Sequence, residues 1–201
     1  MSRVYEIDGV RPVVHPTSFV HPDAILIGDV IIGAHCYIGP AACLRGDFGT
    51  IEIGNGANVQ DTCVIHSFPG KIVTVADYGH IGHGAVLHGC TIERNALVGM
   101  NAVVMDGAVI GESAIVAACS FVKADFVLPS QSLAAGSPAK VMRALTEQEV
   151  NWKTSGTEEY VALAMRSAAS MKAVEPLTEK ECHRPALKVA AAHQPLSGRY
   201  R

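Results

Sequence analysis

Aliphatic residues recur every six positions along this chain, and that period constrains the fold more than any other feature. Val14, Val20, Leu26, Ile32, Ile38 and Leu44 form an unbroken first run. Shorter runs follow at Ile53, Val59, Ile65 and at Val75, Ile81, Leu87, and a long one at Ile92, Val98, Val104, Ile110, Val116 and Val122. Four positions on from the aliphatic residues stand small ones, such as Ala24, Cys36 and Ala42 early and Ala96, Ala102, Ala108 and Ala114 late. A strand of a few residues cannot bury a face alone, so three hexads make one triangular coil and each aliphatic side chain lies on its counterpart a coil away. The expected fold is all-β, a parallel β-helix. An ordinary β-sandwich would instead show turns spaced about 8–12 residues apart.

The slips in phase are informative too. Three extra residues fall between Leu44 and Ile53, and four between Ile65 and Val75. Loops are expected to bulge there, at residues 46–50 and 67–71, and loops on a rigid scaffold are where function is usually carried. The hexads run over residues 10–128. Residues 129–172 are expected to leave the prism through Gly136-Ser137-Pro138-Ala139-Lys140 and then form two helices. The first is opened by a capping box at Thr146 and Glu149 and runs through Trp152; Thr157 would cap the second. Residues 173–201 contain Pro176, Pro185 and Pro195 without periodicity and read as an extended or partly disordered tail.

Composition excludes several classes of function. The net charge of −3 and the absence of a basic stripe argue against nucleic acid as a partner. No stretch approaches the ~18 apolar residues of a membrane span, and residues 1–10 lack a signal-peptide pattern, so a cytoplasmic protein is expected. The six cysteines show no C-x-x-C spacing and read as small buried hydrophobes.

Nine histidines are present. His15, His21 and His35 lie beside turns and read as polar corner residues. His66 follows Ile65 and His88 follows Leu87; their separation of 22 is one 18-residue coil plus the four-residue insertion. Both therefore belong to one column of the prism, stacked about 4.8 Å apart at the backbone. Arg45 extends that column. His83 sits on another edge of the triangle, in register with Asp61 and beside Gln60. Five extended residues span roughly 15 Å, so one chain cannot close a three-histidine site alone. Three prisms about a threefold axis would let His83 of one chain meet His66 and His88 of its neighbour. Three imidazoles with an open fourth position describe a catalytic metal. Ligand type favours zinc, with Fe(II) or Co(II) as alternatives. The competing reading is a set of satisfied histidines on a polar edge.

These residues resemble a known family. His66, the segment His83-Gly84-Ala85-Val86-Leu87-His88-Gly89, Arg45-Gly46-Asp47 and Gln60-Asp61 are similar to the gamma-class carbonic anhydrases and their homologues, over roughly residues 10–145. The resemblance implies a left-handed β-helix, a homotrimer and three metal sites at subunit interfaces. It also implies ion pairs through Arg45, Asp47 and Asp61, and a hydrogen bond from Gln60 near the metal-bound water. Two departures bear on chemistry. Efficient anhydrases carry Glu where this chain has Phe48, and their loop after the first histidine is acidic where Ser67-Phe68-Pro69-Gly70-Lys71 has no carboxylate. Rapid CO2 hydration needs a proton carried to solvent, so losing both groups argues for a slow anhydrase or for other chemistry.

The leading expectation is a metal-dependent acyl-CoA thioesterase, because one branch of this family is associated with thioesters formed in aromatic degradation. Phe48 and Phe68 would make the mouth apolar enough for an aromatic acyl group. A carbonic anhydrase acting on CO2 or bicarbonate, a coenzyme A-dependent acyltransferase without metal, and an assembly protein with a structural metal are the alternatives. Tyr160 is a further candidate, either reaching over a neighbouring site or packing in the core; Trp152 is assigned to packing of helix on prism.

Overall fold

The computed structural model describes residues 3–187. Its strands, mostly two residues long, stack into a parallel β-helix of about seven turns, closed by one C-terminal helix. On the first wall Leu26, Leu44, Ile65, Leu87, Val104 and Val122 stand one above another. The second wall stacks Ile32, Ile53, Val75, Ile92, Ile110 and Leu128. The third stacks Val20, Ile38, Val59, Ile81, Val98, Val116 and Ala134. All of these but Val20, at the open end, are buried in a single core, with Ala24, Cys36, Ala42, Ala85 and Ala102 filling the corners. The expected fold class is therefore observed. Each buried Leu, Ile or Val contributes about 1.5–3 kcal/mol, and the small corner residues are what let three walls meet without voids.

Parallel stacking extends past both limits read from the hexads. Arg3–Tyr5 already pairs with the strand Ile25–Ile32, and Ser132–Gly136 adds a last parallel rung on Ile115–Val116. The segment expected to leave the prism is instead the turn of an antiparallel hairpin between Ser132–Gly136 and Ala139–Ala144. The first phase slip is not a free loop either. Residues 46–50 lie inside one strand, Cys43–Ile53, which passes from the first wall to the second and pairs with neighbours on both sides. Glycine permits that path: a Cβ on Gly46 would strike the carbonyl of Asp29, and one on Gly49 that of Lys71. Only the second slip, residues 67–71, forms a turn between strands.

The two expected helices are one. α1 runs unbroken over Glu147–Ser170, opened by the capping box of Thr146 and Glu149. Thr157 is not a cap; it is fully buried in mid-helix, with its hydroxyl donating to the Lys153 carbonyl. Tertiary packing explains this, since α1 packs on the third-wall strands Phe19–Val20, Tyr37–Ile38 and Asn58–Val59 and Lys153 Nζ donates to Tyr78 O, which offset the roughly 1 kcal/mol that Gly156 costs. Tyr160 and Leu163 pack with Ala164 against Phe19 and Tyr37 at the far end. Residues 171–187 follow without helix or strand, and residues 188–201 of the expected tail lie outside the described residues. No helix among the described residues is long and apolar enough to cross a membrane.

Candidate metal centre

Strands Val64–His66 and Val86–His88 stack on the first wall with Arg45 paired to His66 and His66 to His88. The register that the insertions imply is thus the register in the structure. His66 Nδ1 and His88 Nε2 face each other at 3.2 Å. The remaining ring nitrogens both meet carboxylates, His66 Nε2 at 3.1 Å from Asp47 Oδ1 and His88 Nδ1 at 2.6 Å from Asp106 Oδ1. An ionised carboxylate only accepts, so each of those nitrogens carries the proton and donates. In the neutral rings two lone pairs are then left pointing at one another, an arrangement that only a shared proton or a cation satisfies. A tetrahedral ion with nitrogens at about 2.0–2.1 Å sets them roughly 3.3 Å apart, which the observed separation matches.

Asp47 is held by more than His66. Arg45 Nη1 donates to its Oδ2 at 2.7 Å. Burial works to raise the Asp47 carboxyl, but the hydrogen bonds from Arg45 and His66 outweigh it and hold the group below the usual carboxylate range. Phe48 lies tilted beside His66, ring centroids 5.4 Å apart, and Phe68 meets His88 edge-on at 4.9 Å. Both phenyl groups are more than half exposed, so the histidine pair opens onto an apolar rim.

His83 follows the strand His80–Ile81 on the third wall. Its Nδ1 lies 2.9 Å from Asp61 Oδ2, which repeats the carboxylate pattern a third time and leaves Nε2 for a ligand. Among the described residues no three metal-donor side chains of one chain converge. The structure therefore brings together His66, His88, Asp47 and Arg45 on one wall, and His83, Asp61 and Gln60 on another. Gln60 is buried, and its Oε1 accepts from the His83 backbone N–H at 3.2 Å.

Tyr160 packs in the apolar cluster between α1 and the third wall. Its ring packs edge-on to His80 at 5.3 Å and to Tyr37 at 5.5 Å, and burial pushes its hydroxyl up to about 12. Between α1 and the third wall runs a cavity of about 510 Å3 lined by Gln60 and His83 at one side and by Leu97, Met100, Ile115, Trp152 and Tyr160 elsewhere. Trp152 thus lines this space. The six cysteines are free, and burial raises the thiols of Cys36 and Cys63 to about 11 and that of Cys90 to about 12, so these three are inert packing.

Three residues escaped the sequence reading. Asp106 stands 18 residues after His88, one coil, and that spacing alone was enough to find it. Asn58 and His80 are in register 22 residues apart, but nothing in the repeat says that a helix will cover them.

The description "Bacterial transferase hexapeptide (six repeats)" matches residues 89–124. The carnitine operon protein CaiE of Salmonella dublin is 53% identical over 193 residues, 96% of this chain and 98% of that one. Among solved structures, a putative acetyltransferase of Bacillus cereus superposes with a TM-score of 0.81 at 32% identity, covering 83% of this chain and 96% of its own. A hexapeptide transferase family protein from Anaplasma phagocytophilum gives 0.78 at 39% identity, covering 80% and 95%. A parallel β-helix of stacked hexads with these relatives defines the class: the chain belongs to the hexapeptide-repeat family. Within that class, CaiE is the protein to which it is similar over nearly its whole length.

Proposed function

We propose that the protein is a metal-dependent hydrolase of acyl-CoA thioesters, acting as a homotrimer whose three sites lie between subunits. The observation that carries this reading is that His66, His83 and His88 each have one ring nitrogen on a carboxylate, from Asp47, Asp61 and Asp106, with the other nitrogen left for a ligand. Three such imidazoles suit zinc first, and Fe(II) or Co(II) also. His66 and His88 of one chain and His83 of the next would hold the ion. A divalent cation there supplies Lewis acidity toward a thioester carbonyl and lowers the pKa of water toward neutrality.

The chain's own residues do the rest. Asp47, Asp61 and Asp106 fix the tautomer and orientation of the three rings. Gln60 orients the attacking water through its side-chain amide. Phe48 and Phe68 offer apolar surface beside the histidine pair, and the cavity next to Gln60 and His83 has room for an acyl group. Coenzyme A departs as a thiolate and needs little acid assistance. The segments Leu44-Arg45-Gly46-Asp47-Phe48-Gly49 and Gly99-Met100-Asn101-Ala102-Val103-Val104-Met105-Asp106-Gly107 resemble the phenylacetic acid degradation protein PaaY, which supports phenylacetyl-type thioesters as substrates. No carboxylate stands at Phe48 or in residues 67–71 to relay protons, which places CO2 hydration second.

A coenzyme A-dependent acyl transfer is a separate reading, supported by the Bacillus cereus relative described as a putative acetyltransferase. It would need one histidine as base, no metal, and an acceptor for turnover. Coenzyme A release from phenylacetyl-type thioesters separates the readings, with metal-loaded, chelator-treated and His66→Ala protein side by side. Hydrolysis needing metal and lost in His66→Ala is the expected result. Turnover that survives chelation, or that requires an acceptor, overturns it.

A further inference from the structure

We infer that His80 is a positioning residue for Gln60, set in place by α1 on the outer face of the wall. The inference rests on the role of Gln60 proposed above, and it begins from an anomaly in burial. Outward-facing residues of the third wall stack as Tyr37, Asn58, His80, Leu97 and Ile115. α1 lies over this column, and it is apolar or aromatic except at Asn58 and His80. Asn58 is completely buried. A buried amide costs free energy unless it is hydrogen-bonded, and an aliphatic pair would pack a helix on this wall at no such cost. The bonds of the polar pair run to Gln60.

The shortest contacts favour one arrangement. Gln60 Nε2 lies 2.9 Å from Asn58 Oδ1 and 2.8 Å from His80 Nε2, so both of its protons are committed. Gln60 Oε1 takes the His83 N–H. Turning the amide over would set its oxygen against the Asn58 oxygen and its NH2 against the His83 N–H. His80 must therefore present a bare Nε2 and carry its proton on Nδ1. Thr157 Oγ1 lies 3.2 Å from that Nδ1 and accepts the proton, while the Thr157 hydroxyl donates onward to Lys153 O. Asn58 Nδ2 is also near Nδ1, at 3.3 Å, but the shorter Gln60 contact decides the tautomer. The Tyr160 ring closes over the imidazole edge. A chain of hydrogen bonds thus leads from mid-helix through Thr157, His80 and Gln60 to the backbone of a proposed metal ligand, with the second lone pair of Gln60 Oε1 left for water.

His80→Leu and His80→Gln test this in the metal-loaded protein. Leucine fits the apolar column and removes the acceptor; glutamine keeps both an acceptor for Gln60 and a donor for Thr157. His80→Leu should lower kcat for coenzyme A release roughly ten- to a hundredfold with KM and metal content little changed, beside a modest fall in Tm from the unpaired Gln60 N–H, and His80→Gln should recover most of both. A structural role alone predicts the fall in Tm with kcat intact. The second readout is independent of turnover. The side-chain NH2 pair of Gln60, identified by its loss in Gln60→Glu, should give two dispersed, exchange-protected 1H–15N signals that move toward exposed-amide values in His80→Leu and in Thr157→Val. Unchanged Gln60 signals in folded His80→Leu overturn the inference whatever the substrate proves to be. Shifted signals in a protein that hydrolyses no thioester uphold the positioning and overturn only the proposed reaction.

Discussion

His66 and His88, 22 residues apart in the chain, face each other through Nδ1 and Nε2 at 3.2 Å, and a different carboxylate holds the far nitrogen of each ring. Their side chains are 13% and 24% exposed, sheltered enough that bulk water cannot freely neutralise the contact. Pre-orientation of this kind is what carboxylates hydrogen-bonded to ligand imidazoles provide at metal sites, and it gives the first prediction. Asp106→Asn should weaken zinc binding by about 10- to 100-fold, since it replaces the charged acceptor that fixes the His88 ring with a weaker, neutral one. Competition against a chromogenic chelator measures it. His66→Ala should abolish binding in the same assay, and equal affinity for wild type and Asp106→Asn would show that the ring needs no such support.

Phe48 bears on substrate size. Its ring lies beside His66 and more than half of it is exposed, so it stabilises little in the free protein. Phe48→Ala should raise KM for phenylacetyl-type thioesters several-fold, on the order of 1 kcal/mol of lost contact, and leave metal content unchanged. A parallel series with acetyl-CoA should show a smaller effect. Equal effects on both substrates would mean the ring touches coenzyme A or the protein rather than the acyl group.

Lys153 is the largest fully buried side chain among the described residues, anchoring α1 by donating to Tyr78 O at 2.8 Å and to Asn95 Oδ1 at 2.6 Å. Burial, with the nearby Arg94 charge, pushes its ammonium down to about 7 from 10.5. Between those values the unfolded chain binds more protons than the folded one, so stability gains from this group as pH rises from 7 toward 10.5. Lys153→Met should lose that slope. It should also be less stable at pH 9 by about 2 kcal/mol, because two buried acceptors are left unpaired, with the gap narrowing toward pH 7. Denaturant titrations across this range supply the comparison.

Glu149 acts at the other end of the pH scale. Arg143 pairs with both of its oxygens, at 2.9 and 2.8 Å, and Thr146 N–H donates to it. The Arg143 hydrogen bonds, then that of Thr146, hold the carboxyl down at about 2. Its contribution is therefore complete above pH 4.5 and is lost as pH falls toward 2. Glu149→Gln should cost about 1–2 kcal/mol at pH 7 and show a flatter acid limb. Circular dichroism melts at pH 7 and pH 3 would read both, and a wild-type limb as flat as that of the variant would discount the cap.

Much of the architecture is local and therefore legible. A period of six with small residues at the corners admits few folds, because each hexad repeats the same burial problem and stacking is its solution. Counting coils and insertions also placed Arg45, His66 and His88 in one column, as the strand register has them, and Asp61 with His83 in another, where their side chains meet at 2.9 Å. Asp106 obeys the same count and was readable on it.

What the chain alone did not reveal depends on contacts between distant parts. Local signals end one helix near Trp152 and offer Thr157 as the cap of another, yet the helix is continuous because it packs on strands of the third wall. The strand Cys43–Ile53 absorbs its insertion because neighbours on two walls pair with it. His80 looks like any other corner histidine until α1 covers it and Thr157 fixes its tautomer. Periodic burial is written residue by residue, whereas a hydrogen-bond network under a docked helix exists only once residues 58, 60, 80 and 157 have been brought together by the fold.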